Sequence, residues 1–231
     1  MEKKKIVIVG ISKSAKQVYD FIKIHNLVDI SGFAVDSKYI KEKTYLNFPV
    51  YPLENLKDCI DIDKVELFVA IGWNRLNADR RDMYNRLKKE GYKFANLISP
   101  TAIVRGRLDG DNIWINDYSV LQSDCVIKSN VVIREQVLIG NNTVIEPHCF
   151  IGVKSLVAGG CKIGEQTFCG ISSTIFDATN VGKKCLVGAC TSVKRHMPDY
   201  SLCKTAIEST VTKQYTEDVI ETKLVTGRSV R

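Results

Sequence analysis

Residues 139–151 read IGNNTVIEPHCFI, with isoleucine at 139, 145 and 151. Stepping by six from Ile115 gives Leu121, Ile127, Ile133, Ile139, Ile145, Ile151, Val157, Ile163, Cys169, Ile175, Val181, Val187 and Val193, and no slot is polar. Four residues after each, from Ser119 to Thr191, the side chain is small or β-branched. An α-helix drifts out of phase with such a period because its contacts recur every 3.6 residues. A simple alternating strand needs no small residue at one fixed offset. The pattern therefore predicts a β-solenoid of hexapeptide units, each with its large apolar residue inward and a small residue inward near a tight corner. Glycine often follows the large residue (Gly140, Gly152, Gly164, Gly170, Gly182, Gly188), where a sharp backbone turn is expected. Cys125, Cys149, Cys161 and Cys185 fall on the small slot and read as core packing.

Upstream of residue 103 the pattern is different. KIVIVG (5–10) is a short β-branched run ending in glycine, the mark of a buried parallel strand. Ala15, Val18 and Ile22 then share a helix face. DISGFAV and VELFVAIG give two further strands, ending at Asp36 and Gly72. Leu76, Met83 and Leu87 mark a second helix closed by Gly91, and YKFANLI is the last strand. Alternation of this kind predicts an α/β domain with a Rossmann-like parallel sheet, whose ligands bind beyond the carboxyl ends of the strands. That rule selects Gly10, Ser12, Lys13, Asp36, Gly72 and Asn74 as the pocket rim. Of a full G-x-G-x-x-G only Gly10 survives, and Ser12 and Ser14 could equally be helix caps.

The chain has 231 residues, 45% of them hydrophobic and 26% charged, enough for two domains of ordinary globular composition. Its net charge of +7 suits an anionic small ligand. No zinc-finger spacing or aromatic-studded basic stripe accompanies it, which argues against nucleic acid. The eight cysteines include no C-x-x-C pair and the three histidines are scattered, so no metal site is expected. The N-terminal apolar run is too short for a secretory core and no stretch approaches a membrane span. A cytoplasmic location is expected.

The stretches KKIVIVG, FVAIGWNRLN, EGYKFANLISPTAIV, the hexapeptide ladder and GKKCLVGACTSVKRHMPD together resemble the NeuD/PglD-like sugar acyltransferases over roughly residues 4–200. The resemblance implies three segments: an α/β sugar-nucleotide domain (1–100), a left-handed parallel β-helix (101–198) and a capping tail (199–231). It further implies acetyl-CoA or another acyl-CoA as cosubstrate, a nucleotide-linked sugar as acceptor, and a homotrimer with active sites between adjacent β-helices. By the same resemblance Gly159 N–H faces the thioester carbonyl, and backbone near Ile171, Ser172 and Ala189 lines the pantetheine groove. Lys183, Lys184, Lys194, Arg195 and Lys204 meet the phosphates of coenzyme A, and Arg134 joins the substrate-binding set.

Three departures from the family pattern matter. The unit that carries the family's histidine base reads GNNTVI, and the amides of Asn141 and Asn142 cannot accept a proton near neutral pH. A second family histidine corresponds to Lys154, and the first turn reads GISKSAK. An amine needs no base before it attacks a thioester, whereas a hydroxyl does. The sequence thus favours N-acylation of an amino sugar, with Asn141 and Asn142 orienting substrate. O-acylation of a sialic-acid-type sugar or a glycan and a non-catalytic sugar-nucleotide-binding relative are the alternatives. His148 is either a replacement base or a surface histidine after Pro147. Asp177, two coils beyond Asn141 in the same column, is a further candidate, with Glu135 and Glu146 behind it. Trp114 is expected to cover the first coil.

Overall fold

The computed structural model describes residues 4–205. Its first part is a five-stranded sheet with α-helices, in the order β3-β4-β2-β1-β5. The strands are β1 (Lys5–Val9), β2 (Asp29–Val35), β3 (Thr44–Tyr45), β4 (Phe48–Pro52) and β5 (Val65–Val69), and the helices are α1 (Lys13–His25), α2 (Leu56–Cys59) and α3 (Ala78–Lys89). All neighbours pair in parallel except the short β3–β4 hairpin. β1 lies centrally and is apolar on both faces, with Ile6, Val7, Ile8 and Val9 all buried. On one side it packs on Ala15, Val18, Phe21 and Ile22 of α1 and on the other near Tyr84 and Leu87 of α3.

From Leu97 onward the chain winds through three parallel sheets of two- and three-residue strands. Leu121 pairs with Ile139, Ile139 with Val157, Val157 with Ile175 and Ile175 with Val193, so one coil takes 18 residues. This is a left-handed parallel β-helix. Every large-slot residue from Ile115 to Val193 is buried and forms one continuous core. The small slots are buried too, and they do more than save space. Ser119, Thr143, Ser155 and Thr167 donate their hydroxyls to the carbonyls of Arg134, Ala158, Gly170 and Gly182 at 2.7–2.8 Å. Cys149, Cys161 and Cys185 direct their thiols to Gly164, Phe176 and Pro198 carbonyls at 3.1 Å. A small donor at this slot satisfies a corner carbonyl that the ladder leaves over.

Several expectations need correction. The corners turn two residues beyond the glycines: every sixth residue from Asn112 to Cys190 has a φ between 51° and 65°, and only Gly160 among them is glycine. The glycines answer crowding instead. A Cβ on Gly140 would lie 2.5 Å from backbone atoms of Ala158 and Gly159 on the next coil. Helix α3 begins at Ala78, so Leu76 lies before it, and its buried face is Ala78, Arg80, Tyr84 and Leu87 rather than Met83. YKFANLI is split between domains: Phe94 bridges to Leu67 of β5, while Leu97–Ile98 pairs with Trp114–Ile115 as the first β-helix rung. The ladder also continues past Pro198, because Leu202–Cys203 pairs with Leu186–Val187. The rest of the expected tail lies outside the described residues.

Candidate functional site

The β-helix has three edges, and each repeats every coil. One edge carries Asn141/Asn142, Gly159/Gly160 and Asp177/Ala178; a second carries Asn112, Asn130, His148 and Gln166; the third carries Gln136, Lys154, Ser172 and Cys190. The second edge is the seam with the α/β domain. Arg80, 1% exposed, donates Nη2 to the carbonyls of Asn130, His148 and Cys149 at 3.0–3.3 Å. Asn112 links the domains by accepting from Val69 N–H at 2.7 Å, and its amide donates to Asn130 at 2.8 Å. The outward face beside this seam (Trp114, Val132, Phe150) merges with the apolar core beneath α1. Trp114 is covered by Phe21 and Phe68 of the α/β domain, which replaces its expected role as a first-coil cover.

A pocket of about 840 Å³ opens at the carboxyl ends of β1, β2 and β5. Gly10, Ser12, Lys13, Asp36, Gly72 and Asn74 all line it, as the strand-end rule selects. Gly10 has φ +121°, a conformation reserved for glycine, and its N–H bonds Ala34 O at 2.9 Å. Ser12 stands at the N-cap of α1 but its side chain makes no capping bond. Asp36 is held by Arg86 of α3 at 2.7 Å. Sequence reasoning missed Tyr39 and Trp73, both lining the pocket and 55% and 49% exposed.

Trp73 owes its position to an unusual turn. Arg75, Leu76 and Asn77 are consecutively left-handed, with φ of 49°, 53° and 65°. Arg75 and Leu76 each cost about 1–2 kcal/mol there, whereas asparagine tolerates the conformation, so the β-helix must hold the turn. Gln166 Nε2 donates to Leu76 O at 2.9 Å, and Asn77 N–H closes onto Trp73 O at 3.0 Å. The Trp73 ring thereby lies 5.3 Å from Phe150, which stacks on Phe168 at 5.0 Å. Nothing in the sequence signals this turn, because Leu76 stands in phase with the helix that follows and reads as part of its apolar face.

The structure does not gather the other predicted residues into one place. Asn141 and Asn142 are exposed on the first edge, Asn142 at a left-handed corner that asparagine tolerates. Asp177 reaches back one coil and accepts Gly159 N–H at 2.9 Å, so that amide is already engaged by a carboxylate. His148 is neither a surface residue nor near Asn141: it is 6% exposed beneath α3, its ring 5.6 Å from Tyr84 and its Nδ1 2.8 Å from the Asn130 amide. Because Asn130 Oδ1 accepts from Asn112, its amide nitrogen donates to Nδ1, which assigns the His148 proton to Nε2. Burial, then Arg80 and Arg81, pull the His148 pKa down to about 4. The other histidines are committed elsewhere, His25 to Asp117 at 2.9 Å and His196 to Asn180 N–H at 2.9 Å.

Ile171 and Ala189 are exposed in one column of the third edge, and Ser172 stands at its corner. Lys183 is on the seam edge beside Asp199 and Tyr200, whereas Lys194 lies over Phe176 near the first edge. The expected basic cluster is therefore spread around the β-helix rather than concentrated. Arg134 lies outside the large pocket, stacked over Trp114 at 5.1 Å and paired with Glu135 at 2.9 Å. One sheet face remains uncovered and outwardly apolar, with Ile103 47% and Leu156 37% exposed. Among the described residues no helix is long and apolar enough to cross a membrane, and no group of three potential ligands could hold a metal.

Compared with protein-family models and with curated proteins, the chain finds no match. Solved structures do match. A histidine-to-asparagine variant of perosamine N-acetyltransferase from Caulobacter crescentus, in complex with CoA and GDP-perosamine, superimposes with TM-score 0.77 at 24% identity, over 87% of this chain and 93% of that one. The acetyltransferase domain of PglB from Neisseria gonorrhoeae, in complex with acetyl coenzyme A, gives 0.76 at 20% identity, over 88% and 97%. WeeI from Acinetobacter baumannii gives 0.58 at 15% identity, over 85% and 94%. At these identities the likeness establishes a shared two-part fold, an α/β domain carried on a left-handed β-helix.

Proposed function

We propose that this protein transfers an acyl group from an acyl-CoA thioester to the amine of a nucleotide-linked amino sugar. The observation that carries the reading is the pocket at the strand ends: Gly10 and the α1 N-terminus with Ser12 and Lys13 suit a diphosphate. Tyr39 and Trp73 offer exposed aromatic faces to a base or sugar. Structures of the same fold hold CoA with GDP-perosamine, or acetyl coenzyme A, which supports the same pairing of substrates here. The exposed apolar face with Ile103 and Leu156 supports a homotrimer in which the Asn141 edge of one copy meets the Ile171–Ala189 edge of the next.

The chemistry follows from what the first edge offers. The neutral amine attacks the thioester carbonyl, the C–S bond breaks, and the thiolate leaves. The proton shed by the nitrogen passes to the thiolate through substrate or solvent, since the Asn141 column holds no histidine and its carboxylate, Asp177, already accepts Gly159 N–H. Asn141 and Asn142 contribute by orienting the acceptor through hydrogen bonds. Lys194 and Arg195, above that column, attract the coenzyme's phosphates. A hydroxyl acceptor would lack the histidine base it needs. Coupled thiol-release assays with acetyl-CoA and a panel of nucleotide-linked amino sugars, beside hydroxyl analogues, test this directly. Turnover confined to amines is expected, and turnover confined to hydroxyls refutes N-acylation.

A second reading has one specific support. The Asp177 carboxylate occupies Gly159 N–H, the donor assigned by resemblance to the thioester carbonyl. A non-catalytic sugar-nucleotide-binding protein of this fold would show that engagement permanently. Sugar-nucleotide binding without CoA binding or turnover would favour it.

A further inference from the structure

At the seam between the domains lies a small cavity of about 20 Å³, bordering the strand-end pocket at Ser14, Gly72 and Trp73 but used by no step of the proposed reaction. Ser14, Gln17, Arg80, Trp114, Arg134 and Phe150 are among the residues lining it, and none of its lining residues is acidic. Two buried donors on this lining, Arg80 Nε–H and Trp114 Nε1–H, have no hydrogen-bond partner among the described residues. Arg80 is a buried cation whose contacts are neutral carbonyls, reached through Nη2. The other cation is already matched: Arg134 pairs with Glu135, and its Nη1 contacts Gln17 Oε1 at 3.4 Å.

Three physical facts narrow the occupant. A buried guanidinium without a counter-charge is costly, so a negative ligand is favoured over a neutral one. Water must donate as well as accept, whereas both orphaned groups only donate. A single water requires on the order of 10–15 Å³, so this volume suits one atom-sized ligand and is tight for a phosphate or carboxylate. We propose that the seam cavity is a binding site for one monatomic anion of the halide class, chloride in practice, held between Arg80 of the α/β domain and Trp114 of the β-helix. The ion neutralises the seam's unpaired charge and couples the two domains. The proposal does not rest on the acyl-transfer reading, although the cavity borders the strand-end pocket.

Two measurements on the full-length protein test it. In crystals grown with bromide replacing chloride, an anomalous peak is expected within hydrogen-bond distance of both Arg80 Nε and Trp114 Nε1. In thermal unfolding at constant ionic strength, exchanging gluconate for chloride should raise Tm saturably, by roughly 3–6 °C at ten times the Kd. Trp114→Phe keeps a ring against Phe21 and Phe68 but removes the indole donor, and should weaken that saturable response several-fold. An ordered peak in the cavity without anomalous signal would identify a water and overturn the proposal. So would a Tm that is the same in chloride and gluconate.

Discussion

Acidification should weaken the domain seam through His148, and by an amount the structure sets. The imidazole is buried and neutral, accepting at Nδ1 from the Asn130 amide, and its pKa falls from 6.5 to about 4 because burial and the nearby Arg80 and Arg81 charges oppose protonation. In the unfolded chain the ring titrates near its ordinary value. Below that value the unfolded state binds more protons than the folded one. The stabilising contribution is thus complete above pH 6.5 and lost as the pH falls to 4 and below. Linkage puts the loss at about 2 kcal/mol by pH 5 and about 3 kcal/mol by pH 4. His148→Asn is the informative variant, since asparagine suits the left-handed φ of 65° and can still face Asn130 without taking up a proton. Its smaller volume lowers stability at every pH, so the slopes are compared rather than the absolute values. Urea unfolding of both proteins from pH 7 to pH 4 should show their difference shrinking by about 2–3 kcal/mol. A difference constant within about 0.5 kcal/mol would refute the reasoning, because a group titrating identically in both states contributes no slope. The same pair should share one pH–rate profile, as a residue sealed beneath α3 takes no proton from substrate.

Three further outcomes follow from named contacts. Gly140→Ala drives a Cβ to 2.5 Å from the Ala158–Gly159 backbone and should cost about 1–3 kcal/mol or more, read as a lower urea midpoint. Asp177→Ala frees Gly159 N–H and removes a negative charge from the first edge, so the KM for acyl-CoA should fall several-fold with kcat retained; a collapse of kcat would instead make Asp177 a participant in the chemistry. Trp73→Ala deletes the half-exposed ring at the pocket margin and should weaken binding of the nucleotide-linked sugar roughly tenfold, by about 1–2 kcal/mol, while CoA affinity measured by calorimetry stays unchanged.

What could be read in the sequence was whatever repeats or obeys a local rule. The six-residue ladder from Ile115 to Val193 specifies the β-helix because only a solenoid buries every one of those slots together. The pocket rim from Gly10 to Asn74 was legible because open parallel sheets bind ligands at their strand ends. Contacts between distant segments left no such trace. Nothing periodic tells that His148 faces α3 while Asn142, six residues earlier, faces solvent; the docking of the α/β domain on one edge decides it. Arg80 sits in what reads as a polar helical stretch, and only the carbonyls of Asn130, His148 and Cys149 reveal it as buried. The left-handed turn at 75–77 likewise depends on Gln166, 90 residues from Leu76. Spacing encodes which residues face inward along one coil, but which edge of that coil receives another domain is set by tertiary packing, and that packing determines which polar groups are buried.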